Sequence, residues 1–574
     1  TGLTEVNDGA ELILNGTIGG SLDVNDGGLL TGSGSMLGGT SDLTIKSGGS
    51  VSPGASVGTF TIEGDYVQDS GGTYVAEIDT TDGTADLLDI SGTATLAAGS
   101  TIEASLIGEG YLASGQDFVI IEADGGIFDN GVLITVDSAT VTVDLVRDTG
   151  FMDGNTTWSL ELLRAGNAYS AAADPGTNSR IAFSLDSLIA IANATPTGPS
   201  AGLLGQLDAL NAADYNQAVR QLSPEPFNLS DATTTAAVRD FTTQQATYLA
   251  GIRSGIEAAP RPGPPAGSMA LAYDDPLILA AAIAQARGDS SQQAAAPRQE
   301  NGWGRYFKVQ GVFANQDTTA NRTGFDATTF GGQFGIDYSY SPNLVIGLAV
   351  GYTFTDANLD GGLGDIEDQT IRAGPYMSYY KDDWYVDASL TFGWHMFDSD
   401  RNIPALGLTA HSDYDGYDIT GYVGAGYHFE LDWNLYLTPI ASVLYSHFSY
   451  DSFSETGAGG ANLKLPSRES DSLRTRIGAN ISYRFPAMTL RPVPYMYMGW
   501  EHEFVDDDNI EAAFAGGGSP FLINVGNRDE DAFFIGGGVN LLIKKNMAAF
   551  LRIESVRASN SDAVGVAAGI SVAF

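Results

Sequence analysis

The sequence predicts a mainly β protein in three parts: an N-terminal right-handed parallel β-helix over 1–150, a helical and proline-rich linker over 151–302, and a C-terminal 12-stranded antiparallel transmembrane β-barrel over 303–574. Three observations carry this. In the first third, short β-branched runs recur between Gly, Asp, Asn and Ser turns. Between Asp174 and Ile256 the apolar period changes from two to nearly four. From Trp303 onward apolar and polar residues alternate strictly, the pattern of strands with lipid on one side and a polar lumen on the other.

Composition narrows the classes. The 574 residues include 72 Gly and no Cys, which excludes disulfide frameworks, Cys-ligated zinc and thiol nucleophiles, and suits a chain exported through an oxidising compartment. A net charge of -43 opposes nucleic acid or anionic lipid as a broad partner and fits a solvated acidic exterior. No stretch approaches the roughly 20 apolar residues of a spanning helix, so any membrane crossing needs a closed barrel. The chain starts at Thr1 without a charged-then-apolar leader, and a secretory signal is expected to have been removed or to lie outside it.

In the N-terminal third the runs include Glu11 to Leu14, Leu43 to Ile45, Phe60 to Ile62 and Thr93 to Leu96. The turn texts Val6-Asn7-Asp8-Gly9 and Val24-Asn25-Asp26-Gly27 repeat 18 residues apart, close to one β-helix coil. Their Asp-Gly pairs offer hard oxygen ligands to calcium, but ordinary turn chemistry explains them without a metal, and the nonapeptide pattern of calcium-binding β-rolls is missing.

The stretch Ser52-Pro53-Gly54 through Gly64-Asp65-Tyr66, followed by Asp86 to Leu88, Ile90 to Gly92, Tyr111, Phe118 to Ala123 and Gly126 to Phe128, resembles the junction that closes many autotransporter passengers. The resemblance implies a stabilising, autochaperone-like cap from about residue 52. A solenoid must in any case end in an atypical unit that covers its last coil.

In the linker, Ile181, Leu185, Leu188 and Ile189 form one helical stripe, and Leu203, Leu204, Leu207 and Leu210 another. A longer helix is expected to start at Asp231 as N-cap and run to about Ile256, where Ala259-Pro260-Arg261-Pro262 ends it. About 20 helical residues span 30 Å, so 231–256 is the candidate pore helix. Its rival is Leu277 to Arg287, and the plainer alternative is a small helical domain outside the pore.

In the barrel segment, Phe330, Phe334, Ile336, Tyr338 and Tyr340 share one face opposite Gln333, Asp337 and Ser339. Trp384, Val386, Leu390, Phe392, Trp394 and Met396 oppose Asp387, Ser389, Thr391 and His395. Leu473, Ile477 and Ile481 oppose Arg474, Arg476 and Asn480. Twelve such strands can be counted, an even number that leaves both ends on one side. Asp398 to Asp415, Phe453 to Asp471 and Val505 to Asp529 read as extracellular loops, and Pro342-Asn343, Lys381 to Asp383 and Lys544 to Asn546 as tight periplasmic turns.

The ending Val564 to Phe574, with Ile570, Val572 and Phe574 apolar and small residues between, looks like the signal read by the barrel-assembly machinery. Together with Trp303-Gly304-Arg305-Tyr306-Phe307 at the first strand, it makes residues 303–574 resemble the autotransporter barrel domain. The partners implied are outer-membrane lipid, the assembly machinery and periplasmic chaperones, with surface or self-association partners for the passenger and no nucleic acid. The location implied is the bacterial outer membrane, N-terminal region outward.

The inward polar residues Asp337, Asp387, Arg474, Arg476, Glu501 and Glu503 are suited to holding a threaded helix or tuning a pore; the plainer reading is a solvated, mutually neutralising lumen. All five His lie at or beyond His395, so the first 300 residues hold no Ser-His-Asp or Cys-His site, and Gly288-Asp289-Ser290-Ser291 reads as connector. The expectation is therefore a protein that is not an enzyme and needs no cofactor or metal. It translocates and anchors its own passenger, without self-cleavage, since the Asn-Asn pair used by self-cutting autotransporters is absent. A barrel-anchored surface coat or adhesin and a passive outer-membrane pore are the alternatives.

Overall fold

A computed structural model describes residues 2–38, 41–148, 156–253, 302–319, 322–485, 491–505, 509–525, 529–544 and 546–573. The expected connector at 259–265, the rival helix Leu277 to Arg287, the Gly288 to Ser291 block and Phe574 lie outside these residues.

The N-terminal strands fall into three sheets that the chain visits in turn, and within each sheet successive visits pair in parallel. The sheet alignment follows the repeated turn text. Val6 sits beside Val24, and Asn25 donates its amide to Asn7 Oδ1 at 2.9 Å. The visits then lengthen. Val24 aligns with Ile45, Ile45 with Gln68, Gln68 with Leu96 and Leu96 with Asp129, so the spacing grows from 18 to 33 residues. Side chains alternate inward and outward along each short strand, and the inward set forms one continuous core that includes Leu22, Phe60, Tyr74, Leu88 and Ile102.

Two polar groups in that core are satisfied internally. Tyr66 donates to Gln68 Oε1 at 2.9 Å, and Gln68 donates to the Gly72 and Thr101 carbonyls at 2.8 Å each. The last visit is closed by antiparallel strands Thr142–Asp148 and Thr156–Leu163, the second pairing with Gln116–Ala123, which carries the β structure past residue 150 to Leu163. Trp158 and Leu160 seal this end of the core.

The helices are α1 (Ala168–Ala172), α2 (Thr177–Ala194), α3 (Pro199–Asp208), α4 (Ala212–Gln221) and α5 (Leu229–Arg253). The stripes read from the sequence are their buried faces: Ile181, Leu185, Leu188, Leu203, Leu204 and Leu207 are at most 3% exposed. Asn211 caps α4, accepting from the Ala213 and Asp214 amides at 3.0 Å each. Asp231 is not the N-cap expected of it. Helix α5 follows a 3₁₀ turn at Glu225–Asn228, which places Asp231 inside the first turn with its carboxylate turned to Arg468.

Twelve long antiparallel strands, from Gly302–Gln316 to Ser561–Ala573, form a closed barrel in which the first pairs with the last, Phe307 beside Ile570. A short strand, Phe429–Leu431, adds only to the edge of Leu435–Tyr450. Residues Phe330, Leu348, Phe392, Trp394, Ile477 and Leu551 point outward and are 49–60% exposed, as an outer surface facing lipid requires. The turn at Lys381–Trp384 is tight, with Asp382 at φ 53°, a conformation an Asp tolerates.

The loops depart from expectation. Asp398 to Asp415 is mostly not loop: the ladder between Trp384–Ile403 and Leu408–Tyr427 continues to Ile403 beside Leu408, and only Pro404–Leu406 turns. Polar residues on both faces mimic a loop in sequence, yet the ladder hydrogen bonds persist beyond the apolar belt. Phe453 to Asp471 and Val505 to Asp529 are not plain loops either. They supply Phe453–Ser454, Leu463–Leu465, Asn509–Phe514 and Phe521–Asn524, which pair into a separate four-stranded sheet at the long-loop end.

Candidate functional site: the helix-threaded lumen

Helix α5 is rich in Thr and Ala and has only a narrow apolar stripe of Val238, Phe241, Tyr248, Leu249 and Ile252, which would leave it marginal alone in water. It is nevertheless largely buried, because it runs inside the barrel. Its 25 residues reach about 37 Å at 1.5 Å each. Three Thr side chains bond back one turn: Thr242 to the Val238 carbonyl, Thr243 to Arg239 and Thr247 to Thr243, at 2.7–2.8 Å.

Both ends and one side of α5 are tied to inward-facing barrel residues. At its start Arg468 donates to Asp231 Oδ2 at 2.6 Å. At its end Arg253 donates to Asp387 and, at 3.0 Å, to Ser378 Oγ, with its guanidinium 3.6 Å from the Tyr385 ring centre. Between them Tyr248 donates to Asp337 Oδ2 at 2.5 Å, Lys308 donates to the Gln244 carbonyl at 2.7 Å, and the Tyr248 and Tyr306 ring centres lie 4.0 Å apart. Asp337 and Asp387, two of the six polar positions expected in the lumen, are thus anchors for α5.

The other four form a charge lattice on the opposite wall. Arg474 Nε is 2.6 Å from Glu503 Oε2 and its Nη1 3.5 Å from Glu501 Oε1; Arg476 lies 2.8 Å from Glu501 and 3.2 Å from Glu554. Arg552 adds a 2.6 Å bond to Glu554 and reaches Thr247 of α5 at 3.2 Å. Arg239 of α5 joins more loosely, 3.7 Å from Glu501 and 3.8 Å from Glu554. Opposed charges at such separations offset the cost of burying each one, so the lumen is neutralised through the helix and not by water alone.

Sequence reasoning missed three groups. Lys308, Arg552 and Glu554 lie on weakly alternating strands, although their inward register follows from neighbours such as Phe307 and Ile553. A buried cluster in the wall has His395 between Asp368 (3.2 Å) and Asp418 (3.0 Å), with Arg372 bonding Asp418 at 2.6 Å. The third is at the long-loop end, where α1–α4 pack on the four-stranded sheet and the strand tips in one apolar cluster that includes Leu188, Leu204, Phe397, Leu463 and Ile510. There Arg401 forms a two-pronged pair with Glu455 at 2.6 and 2.8 Å and donates to the Gln221 carbonyl of α4. No local signal marks such pairs, since the partners are up to 180 residues apart in sequence. Of the expected assembly signal, Ile570 is 49% exposed on the outer face and Val572 is half-buried.

An outward apolar belt on a closed twelve-stranded barrel whose lumen holds a helix arriving from the chain's own N-terminal side is joined by a direct family match: residues 303–554 match the model described as the autotransporter β-domain. The barrel is an autotransporter β-domain. It places the protein in the bacterial outer membrane, the long-loop end and N-terminal region at the cell surface. The chain is 22% identical over 585 aligned residues to an extracellular serine protease of Serratia marcescens, covering 98% of this chain and 53% of that protein. It is 26% identical over 211 residues to an esterase of Pseudomonas aeruginosa, covering 34% of this chain and 30% of that protein. The translocator domain of the autotransporter NalP from Neisseria meningitidis is a structural neighbour, with a TM-score of 0.40 and 13% identity over 47% of this chain and 88% of that one.

These relatives correct one expectation. The chain was read as not an enzyme, yet two proteins similar to this autotransporter are named for a protease and an esterase activity. The reading rested on where His residues fall, which bears only on His-dependent nucleophiles within this stretch, and this stretch spans about half of the Serratia relative's length.

Proposed function

We propose that this autotransporter moves its own N-terminal region, a right-handed parallel β-helix over about 1–150 with an autochaperone-like cap from about 52, through the outer membrane and keeps it attached. The barrel of 303–574 is the translocator and 151–302 the linker that remains threaded. The observation that carries this is the continuity of α5, which runs from the Asp231–Arg468 pair at the surface end to the Arg253–Asp387 pair at the periplasmic end. A chain caught in this position has passed its N-terminal side outward. Coil-on-coil pairing supplies direction, because each stacked visit buries apolar side chains and opposes back-slippage. Retention is supported by the absence of an Asn-Asn dipeptide in the sequence and by ion pairs at both ends of α5. Periplasmic chaperones and recognition of Ile570, Val572 and Phe574 by the assembly machinery complete the scheme.

The test compares cells expressing the whole chain with cells expressing a form that lacks 303–574. With the barrel present, external protease removes an epitope in 1–150, and untreated outer membranes carry a single 60.1 kDa species. Without the barrel the epitope is protected. Protection in both forms overturns translocation; a shed N-terminal fragment overturns retention.

A further inference from the structure

The cap at the long-loop end is built from two distant parts of the chain. Helices α1–α4 belong to the linker, and the four-stranded sheet comes from two insertions in the barrel, 453–465 and 509–525. The strands of this sheet are two to six residues long, and only one face is apolar. Leu463, Leu465, Ile510, Phe514, Phe521 and Ile523 are at most 6% exposed, while Lys464, Glu511 and Asn524 face water. The apolar face packs with the buried stripes of α2 and α3 in one cluster. So small a sheet has no core of its own, and helices of ten residues such as α3 and α4 are marginal by themselves.

The seam between the two parts is shaped for close contact. A Cβ at Gly516 would lie 2.4 Å from Ser200 Oγ, one at Gly517 2.7 Å from Ile191 Cδ1 and one at Gly518 2.7 Å from Leu188 Cδ2. Gly517 and Gly518 also hold φ of 113° and 96°, a region side chains rarely adopt. In the other insertion, a Cβ at Gly460 would stand 2.1 Å from the Pro199 carbonyl oxygen at the start of α3. Polar contacts follow the same seam. Ser184 donates to the Ser519 carbonyl at 2.5 Å, the Ser519 amide donates to Ser187 Oγ at 2.8 Å, and Arg180 donates to the Leu522 carbonyl at 3.0 Å.

We propose that insertions 453–465 and 509–525 are a folding template that the barrel carries for its own linker, and that docking of α1–α4 on them holds the chain outside without help from the β-helix. The pair between Asp231 and Arg468 fixes the start of α5 beside the cap, so docking is intramolecular and its effective concentration is high. Once folded, the cap cannot pass back through a lumen that α5 occupies. The hold rests on the translocation reading given above; the template does not.

The template is tested by limited proteolysis of the purified full chain folded in detergent, and the hold by the time an epitope in 1–150 takes to become accessible on intact cells. In the wild type, 168–221 and both insertions should resist cleavage. Gly460→Val, at a position without a left-handed φ, wedges the seam from the barrel side and should expose 168–221. Leu204→Asp, in the shared core, should expose the insertions from the helix side. Both variants should keep the heat-modifiable band of a folded barrel and slow arrival of the epitope several-fold. Leu204→Asp leaves every barrel residue unchanged and serves if position 460 blocks barrel folding. Helices that stay resistant in Gly460→Val, or insertions that stay resistant in Leu204→Asp, would mean two parts that fold separately and would overturn the template. Arrival at the wild-type rate in both variants overturns the hold. An epitope that never appears on wild-type cells sinks translocation and the hold with it, while the proteolysis still decides the template.

Discussion

Tyr248 of the lumenal helix donates its hydroxyl to Asp337 of the barrel wall at 2.5 Å, and Tyr376, on the wall strand next but one, donates to the same oxygen at 3.2 Å. One buried carboxylate therefore joins the helix to two wall strands. Tyr248→Phe keeps the ring packing on Tyr306 and deletes only the hydroxyl, so it should weaken the hold on α5 by about 1–3 kcal/mol. A lower temperature for the heat-modifiable gel shift of the barrel is the expected reading. A double-mutant cycle with Asp337→Asn should show coupling, and additive effects would mean that the pair does not act as a unit.

A second carboxylate joins the N-terminal sheets to the helical bundle. Asp208 of α3 is salt-bridged to Arg164, accepts from Thr140 at 2.6 Å and from Tyr169 at 2.8 Å, and is 3% exposed. Arg164 also lies 4.3 Å over the Tyr111 ring. Arg164→Ala leaves a buried acid without its cation and is expected to cost about 3–5 kcal/mol. Replacing both partners with apolar residues of similar size should recover most of that loss in urea unfolding. If the double variant is as unstable as the single one, the charge is not the reason.

Close backbone approach makes the same junction sensitive to a single methyl group. A Cβ at Gly205 of α3 would lie 2.3 Å from the Gly110 carbonyl oxygen, which is backbone and cannot rotate away. Gly205→Ala should push α3 off the N-terminal sheets despite its better helix propensity, with a net loss of about 1–3 kcal/mol. Faster proteolysis between 140 and 210 on intact cells is the readout; unchanged cleavage would show that the junction has slack.

Acid should stabilise the N-terminal region through Asp86. Burial pushes its carboxyl up to about 7 from an ordinary 3.8, and the Glu77 and Gly58 amides that donate to its oxygens at 3.0 and 2.8 Å pull the other way. The folded state then holds a proton that the unfolded chain has released between about pH 4 and 7. Stability falls as pH rises through that window and levels off above it. Asp86→Asn should flatten this slope in urea titrations across the range, at some cost because an amide accepts at one oxygen only. A wild-type profile that instead gains stability from pH 4 to 7 would mean the amide bonds outweigh burial.

Much of this protein was determined by local pattern. Alternation at Phe330 to Tyr340 and Trp384 to Met396 was enough to define strands, their inward and outward faces and the count of twelve, because a strand between lipid and a polar lumen leaves each side chain only one of two environments. The Val6 and Val24 turn texts likewise announced a stacked β structure, and the stripes at Ile181 and Leu203 announced helices. Later visits were harder to see because spacing drifts from 18 to 33 residues, which erases a fixed period.

The length of the helical run and the prolines beyond it already made 231–256 the candidate pore helix, but only the tertiary structure decided what holds α5 in the lumen. Its narrow apolar stripe of Phe241, Tyr248, Leu249 and Ile252 packs on Tyr306, Val345 and Tyr376 only where the lumen also supplies Asp337, Asp387 and Lys308 as polar partners. The segments read as loops at 453–471 and 505–529 became a sheet for the same reason: their short strands gain pairing partners and an apolar cover only when the barrel brings their ends together and α2 and α3 settle on top. Periodicity records the environment of one element, whereas the burial of an ion pair such as Arg401 and Glu455 depends on separate segments converging in space, and no single stretch of sequence encodes that.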